Sequence, residues 1–150
     1  RLDRRLRDEY DRAVPYGRPL TVAIADLDHF KQVNDRWTHA TGDAVLKAIA
    51  NLLVREVRHT DLVARYGGEE FVLVLLETGP EAASAACEKV RAAIEKHDWS
   101  GIAPGLAITV SIGWGADTSL AGPDAMLGAA DAAMYRAKAA GRNRVAGGRE

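Results

Sequence analysis

The sequence predicts an α+β domain with an antiparallel-containing sheet of split βαβ type, on three observations. Residues 20–25, Leu-Thr-Val-Ala-Ile-Ala, are β-rich and apolar on both faces, as in a strand covered by helices on both sides. Two further β-rich runs, 61–66 and 69–76, flank Gly67-Gly68 and read as a hairpin. After an opening helix, the elements then follow in the order β-α-α-β-β-α-β-α-β. The 150 residues are 47% hydrophobic and 27% charged, a globular composition. A chain of this length buries roughly 68–70% of its unfolded surface, enough for one core and one domain.

Each element has its own signal. Leu2, Leu6 and Tyr10 recur at four-residue steps, so the chain opens with a helix that Pro15 and Gly17 end. The strand at 20–25 delivers Asp26 and Asp28 at its C-terminal end. A short helix over 30–36 leads through His39-Ala40-Thr41-Gly42 to a longer one, whose apolar stripe is Val45, Leu46, Ile49, Leu52, Leu53 and Val57. After the hairpin, Gly79-Pro80 opens an alanine-rich helix to about Lys96, and residues 108–113 form another strand. Gly122-Pro123 starts the last helix, with Met126, Leu127, Ala130, Met134 and Ala137 inward and Gly141 at its C-cap. A terminal strand is expected at 144–146. No internal repeat or low-complexity segment interrupts this order.

Several function classes drop out early. Twenty Lys and Arg against twenty-one Asp and Glu leave a net charge of −1, so there is no overall basic surface for duplex DNA. Cys87 is the single cysteine, which rules out an internal disulfide and a cysteine-rich zinc site, and fits a reducing, cytoplasmic setting. Its place in the alanine-rich helix predicts a buried apolar side chain. No apolar run reaches the roughly 18–20 residues of a membrane span. The first ten residues have mixed charge and no apolar region, so they do not read as a signal peptide; they begin within a helical pattern, which predicts a domain taken from a longer protein.

Chemistry concentrates at the hairpin. Glu69 and Glu70 repel one another on a turn that Gly67-Gly68 would form without them, so a use for the charge is expected. Convergence with Asp26 on a hard cation is one use, since Mg²⁺ takes oxygen ligands, keeps waters and binds with substrate phosphates. A solvated acidic turn is the alternative.

The heptapeptide Arg65-Tyr66-Gly67-Gly68-Glu69-Glu70-Phe71 resembles the signature of the GGDEF family, the diguanylate cyclases, in its Gly-Gly-Glu-Glu-Phe form. Two more blocks resemble it in order: Asp26-Leu27-Asp28-His29-Phe30-Lys31-Gln32-Val33-Asn34-Asp35 with Thr41-Gly42-Asp43, and Ala137-Lys138-Ala139-Ala140-Gly141-Arg142-Asn143-Arg144. The likeness spans nearly the whole chain, residues 2–145, and implies one catalytic domain over 1–150. It implies a ferredoxin-like core of the nucleotidyl-cyclase and polymerase-palm type, with a mostly antiparallel sheet flanked by helices. The implied reaction condenses two GTP into cyclic di-GMP with release of two pyrophosphates.

Carried over by position, the resemblance gives Asp26, the Leu27 carbonyl, Glu69 and Glu70 as ligands of Mg²⁺, with Mn²⁺ as a substitute. Glu69 is the family's candidate base, although a metal-bound carboxylate is a poor one; Glu70 and Lys31 complete the implied catalytic set. Asn34 and Asp43 match the family's guanine readers, and an Asp that accepts from N1–H and the exocyclic amine favours GTP over ATP. His39 lies near the substrate in the likeness, beside two departures: Thr38 stands for a small residue and Trp37 for a Phe. Phe30, Lys31, Lys138 and Arg142 correspond to the phosphate contacts, with Asn143 and Arg144 expected to be structural. Arg58-His59-Thr60-Asp61 fits the family's Arg-x-x-Asp product-inhibition motif; an ordinary surface ion pair is the competing reading. Bland roles also stand beside Asn34 as a helix C-cap and Asp43 as a charge near a helix start.

The implied partners are GTP, cyclic di-GMP as product and inhibitor, a second copy of the chain, and an upstream sensory domain through which the parent protein could be membrane-anchored. No DNA or membrane contact is expected of the domain itself. Two rival readings are a nucleotide sensor without turnover and a palm-type transferase that prefers ATP.

Overall fold

The computed structural model describes residues 2–119 and 122–147. Its centre is β1 (Leu20–Leu27), whose eight residues are all buried, as a strand without alternation requires. β1 pairs antiparallel with β3 (Glu70–Leu76) on one side and with β4 (Val110–Gly115) on the other. β2 (Leu62–Arg65) extends the sheet antiparallel to β3, and β5 (Arg144–Gly147) runs parallel to β4 at the far edge. The order is therefore β2-β3-β1-β4-β5. β1 and β2 point the same way with β3 between them, and β3 and β4 do so with β1 between them. Those are two split βαβ units, in a mixed five-strand sheet whose single parallel pair is at its edge.

Strand alternation assigns each helix a face. Ala23, Ala25 and Leu27 of β1 join Phe71, Leu73 and Leu75 of β3 in a core with α3 (His39–Glu56) and α4 (Pro80–Lys96). Leu20, Val22 and Ile24 join Val72 and Val74 under α1 (Leu2–Ala13) and α5 (Pro123–Ala139). The short α2 (Phe30–Arg36) follows β1 directly, entered through His29 in a left-handed conformation at φ 57°. α5 lies hard on the sheet: a Cβ on Gly113 would come within 2.0 Å of the Met134 amide nitrogen and 2.3 Å of the Ala130 carbonyl oxygen. Only glycine admits that approach.

Local structure departs from expectation at several places. α3 begins at His39, because the Thr38 hydroxyl accepts from the Thr41 amide at 3.1 Å and caps the helix; residues 39–42 are its first turn. The bulk of Thr38 thus has a local use. β4 is displaced by two residues, to 110–115, since its ladder with β1 runs from Val110 to Gly115 while Ile108 is buried ahead of it. Asn34 lies inside α2, whose C-cap is Trp37, so the C-cap reading of Asn34 does not hold. Cys87 is fully buried as expected, and burial pushes its thiol up to about 12. Among the described residues, no helix is long and apolar enough to cross a membrane.

Candidate active site at the end of β1

Strand register brings the carboxylates together. Asp26 is directly opposite Glu70 in the β1–β3 ladder and opposite Ser111 in the β1–β4 ladder. Both acids continue the α5-facing series of their strands, so they emerge where the apolar contacts of α5 end. The hairpin holds Glu69 and Glu70 in place: the Tyr66 amide donates to the Glu70 carbonyl at 2.7 Å, and the Arg65 guanidinium donates to the carbonyls of Gly67 at 3.2 Å and Gly68 at 2.7 Å. Asp26, Tyr66, Glu70, Asp131, Tyr135 and Lys138 line one cleft of about 620 Å³ between this end of the sheet and α5.

Lys138 reaches into the carboxylates from the last turn of α5. Its Nζ is 3.0 Å from Asp26 Oδ1, 3.0 Å from Asp28 Oδ1 and 3.3 Å from the Leu27 carbonyl oxygen. Asp28, for which sequence reasoning had no role, is the most fully engaged acid here. Its carboxylate accepts from Thr109 Oγ1 at 2.7 Å, Ser111 Oγ at 2.7 Å, Lys138 Nζ at 3.0 Å and the Asn143 amide at 3.0 Å. Burial alone would raise its pKa, but the bonds from Ser111, Thr109 and Lys138, with the charge of Lys138, hold it below the usual carboxylate range. The Asp-x-Asp spacing was the available signal. It could not show that Asp28 lies beyond the end of the strand and turns toward β4 and the segment after α5.

That segment is fixed from the opposite face of the sheet. Arg142 and Asn143 are both left-handed, at φ 66° and 49°. The Asn143 side chain accepts from Arg91 at 2.8 Å and donates to Glu95 at 2.9 Å, and Arg91 also binds Glu88 and Glu95, so α4 clasps the turn that aims the Asn143 amide at Asp28. Arg142 and Lys138 line a shallow open cleft with Tyr135 and Ala139.

Electrostatics set the two hairpin acids apart from Asp28. Desolvation, then the charge of Asp26, raise Glu69, with Lys138 opposing. Glu70 is pushed up to about 7 by desolvation, by its hydrogen bond to Asp26 and by the negative charges of Asp26, Asp131 and Glu69. Crowded acids that resist ionisation together are poised to take a cation. Among the described residues, no three His, Cys, Asp or Glu side chains form a ready cage. Two facing carboxylates and a main-chain carbonyl suit instead an ion that keeps waters and draws further oxygens from a phosphate substrate. The fit is supported directly, because a positively charged nitrogen already lies among the oxygens of Asp26 and Leu27.

The other expected residues lie around this centre rather than in it. Asn34 reaches across to α3, where its Oδ1 is 2.0 Å from where a Cβ on Gly42 would be. Asp43 lines a separate cleft of about 360 Å³ with Leu46, Lys47, Arg65 and Phe71. His39 and Lys31 are exposed and Phe30 is buried. Arg58 and Asp61 lie at the other end of β3: the Asp61 carboxylate accepts from the Arg58 amide at 3.1 Å and the Leu76 amide at 3.0 Å, and Arg58 donates to Thr78 Oγ1 at 2.8 Å and to the Leu76 carbonyl. This pair ties the start of β2 to the end of β3. Arg58 also lines a pocket of about 260 Å³ with Arg12, Arg18 and Thr60.

Comparison with known proteins places this arrangement. The profile described as "Diguanylate cyclase, GGDEF domain" matches residues 1–144. Diguanylate cyclase DgcP of Pseudomonas aeruginosa is 42% identical over 144 residues, 96% of this chain and 22% of DgcP. Diguanylate cyclase DosC of Escherichia coli K12 is 40% identical over 131 residues, 86% of this chain and 28% of DosC. This chain thus spans between a fifth and a third of the length of these curated relatives. The crystal structure of the GGDEF domain of DgcB from Caulobacter crescentus, in complex with c-di-GMP, superposes with a TM-score of 0.92 at 32% identity, covering 99% of this chain and 89% of that one. The active GGEEF domain of a diguanylate cyclase from Vibrio cholerae gives 0.90 at 30% identity, covering 97% and 92%. From its sequence blocks, its sheet and its hairpin, the chain belongs to the GGDEF domain family.

Proposed function

We propose that this domain is a diguanylate cyclase that condenses two GTP into cyclic di-GMP and two pyrophosphates. The observation that carries the reading is the placement of Asp26 opposite Glu70 with Lys138 and Arg142 arriving from the end of α5. Acids and cations of this kind hold a nucleoside triphosphate by its metal and its phosphates.

In this reading Asp26, the Leu27 carbonyl, Glu69 and Glu70 hold Mg²⁺, or Mn²⁺ in its place. When bound, the ion supplies divalent charge against the triphosphate and favours ionisation of a 3′-hydroxyl. Lys138, Arg142 and Lys31, with the backbone at Phe30, orient the phosphates and offset charge on the departing pyrophosphate. Asn34 and Asp43 select guanine, with His39 beside the ribose and base. Glu69, raised in the metal-free protein by burial and by the charge of Asp26, is assigned the proton of the hydroxyl in this reading, and holding the ion weakens it as a base. One subunit binds one GTP, so the two nucleotides meet across a homodimer, held in register by an upstream domain of the parent protein. Arg58 and the pocket beside it, with Asp61 bracing the arginine, take product and restrain turnover; the arginine offers a planar edge to guanine, while Arg12 and Arg18 of the same pocket are paired with Glu9 and Glu77.

The test is product identity from GTP and Mg²⁺. Glu70→Gln and Asp26→Ala are expected to lower kcat by at least about 100-fold with little change in melting temperature. Full turnover in either variant would overturn the site, and faster turnover of ATP than GTP would overturn the guanine assignment.

A further inference from the structure

Lys138 does more than wait beside the site. An ammonium group has three protons and no acceptor, and here its three oxygen neighbours are Asp26 Oδ1, Asp28 Oδ1 and the Leu27 carbonyl. Two of the three are oxygens that the proposed function gives to the divalent cation. Mg²⁺ needs its oxygens at roughly 2.0–2.1 Å, whereas the ammonium holds them at 3.0 and 3.3 Å, so the two cations cannot share the seat. We propose that Lys138 is a resident counter-cation that occupies the metal seat until substrate arrives, and that entry of a metal–triphosphate, but not of the metal alone, moves it off at little cost. The inference rests on the reading of Asp26 and Leu27 as metal ligands.

The cost argument is one of charge pairing. A divalent ion arriving by itself must expel the ammonium from Asp26 and then lie beside it, cation against cation, in a half-buried cleft. A triphosphate that arrives with the ion brings negative charge for the ammonium to turn to. Asp28 makes the exchange short-ranged. It is not needed as a metal ligand, its side chain is 1% exposed, and three other donors fix its orientation. It therefore keeps Lys138 at the edge of the seat in either state. Metal and nucleotide binding become mutually reinforcing, and by linkage each strengthens the other by the same factor.

The experiment measures Mn²⁺ binding by electron paramagnetic resonance, with and without a non-reacting α,β-methylene analogue of GTP. Lys138→Met keeps an unbranched side chain of similar length and removes the charge. It should tighten Mn²⁺ binding without nucleotide about tenfold and shrink the enhancement by the analogue, whereas Arg142→Gln, which removes a cation of the same neighbourhood that holds no carboxylate, should change Mn²⁺ binding without nucleotide by less than about threefold. Equal effects of the two variants on Mn²⁺ binding without nucleotide, or no effect of Lys138→Met on it, overturn the proposal and leave the metal site standing. Absence of Mn²⁺ binding to the native chain even with the analogue overturns the metal site and the proposal together. If Lys138→Met does not fold, the native chain decides: one lysine ammonium resonance protected from solvent exchange should shift when Mg²⁺ and the analogue together reach saturation, and a resonance that stays unchanged at saturation overturns displacement.

Discussion

Asp28 is 3.0 Å from Lys138 and Glu70 lines the same cleft as that lysine, yet Glu70 is pushed up to about 7 and Asp28 held down. The difference is in donors. Asp28 receives two hydroxyls, an amide and an ammonium, while Glu70 faces mainly other carboxylates. For metal-free protein the sign of the pH effect follows. An unfolded Glu titrates near 4.5, so between about pH 4.5 and 7 the folded chain binds more protons at Glu70 than the unfolded chain does. That part of the stability is present at low pH and lost as pH rises toward the folded value. In EDTA, the native chain should therefore lose more melting temperature between pH 5.5 and pH 8 than Glu70→Gln does; parallel curves would contradict the assignment. Gly42 gives a second prediction at this scale. A methyl group there collides with the Asn34 side-chain amide and comes to 3.3 Å from the buried Phe30 ring. On the guanine reading, Gly42→Ala should raise the KM for GTP about tenfold, with stability altered by less than about 1 kcal/mol; steady-state kinetics and a thermal melt would separate the two. The sequence shows the acids and the Asn34–Asp43 pair plainly. It does not show Asp28 as a hub, because its four donors come from three separate parts of the chain.

At the scale of elements, the sequence was informative wherever local chemistry decides the outcome. The unbroken apolar run of β1, the proline starts of α4 and α5 and the Gly-Gly hairpin all appear at or within a residue or two of their expected places. Where tertiary pairing decides, it was not: β4 shifted by two residues to satisfy its ladder with β1, and α3 absorbed a segment that looked like a connector once Thr38 capped it. The clasp of Asn143 by Arg91 and Glu95 joins residues 52 and 48 apart, a separation no periodicity reports. The approach of α5 to β4 is equally non-local. Because Gly113 faces main-chain atoms of α5 that cannot swing aside, Gly113→Ala should cost about 3 kcal/mol and lower the melting temperature by roughly 6–12 °C. A scanning calorimetry trace within 2 °C of native, on the order of 1 kcal/mol or less, would show that α5 can lift away without penalty.

For the whole molecule, the near-zero net charge hides a segregation that the fold makes visible. Acids gather at the ends of β1 and β3, and Lys138 and Arg142 approach them from one helix end, so a chain with no overall basic surface still carries a local pair of cations beside its acids, the phosphate site of the proposed function. On the proposed function, one such site holds one nucleotide. If two must face each other for reaction, the rate should rise faster than linearly with protein concentration below the dimer dissociation constant and become linear above it. Product formation measured over a hundredfold range of protein would show this, and strict proportionality throughout would argue against reaction across a dimer.

The pairing of Asp26 with Glu70 has a consequence for the quality of any preparation. Side chains alternate along a strand, so sliding β3 by one residue against β1 would turn Glu70 inward beneath α3 and send Phe71 toward solvent. A slipped molecule would be both poorly packed and without its acid pair. On the proposed function, catalytic output per milligram therefore doubles as a gauge of how many molecules hold the correct register, and a loss of turnover and a loss of packing would arrive together.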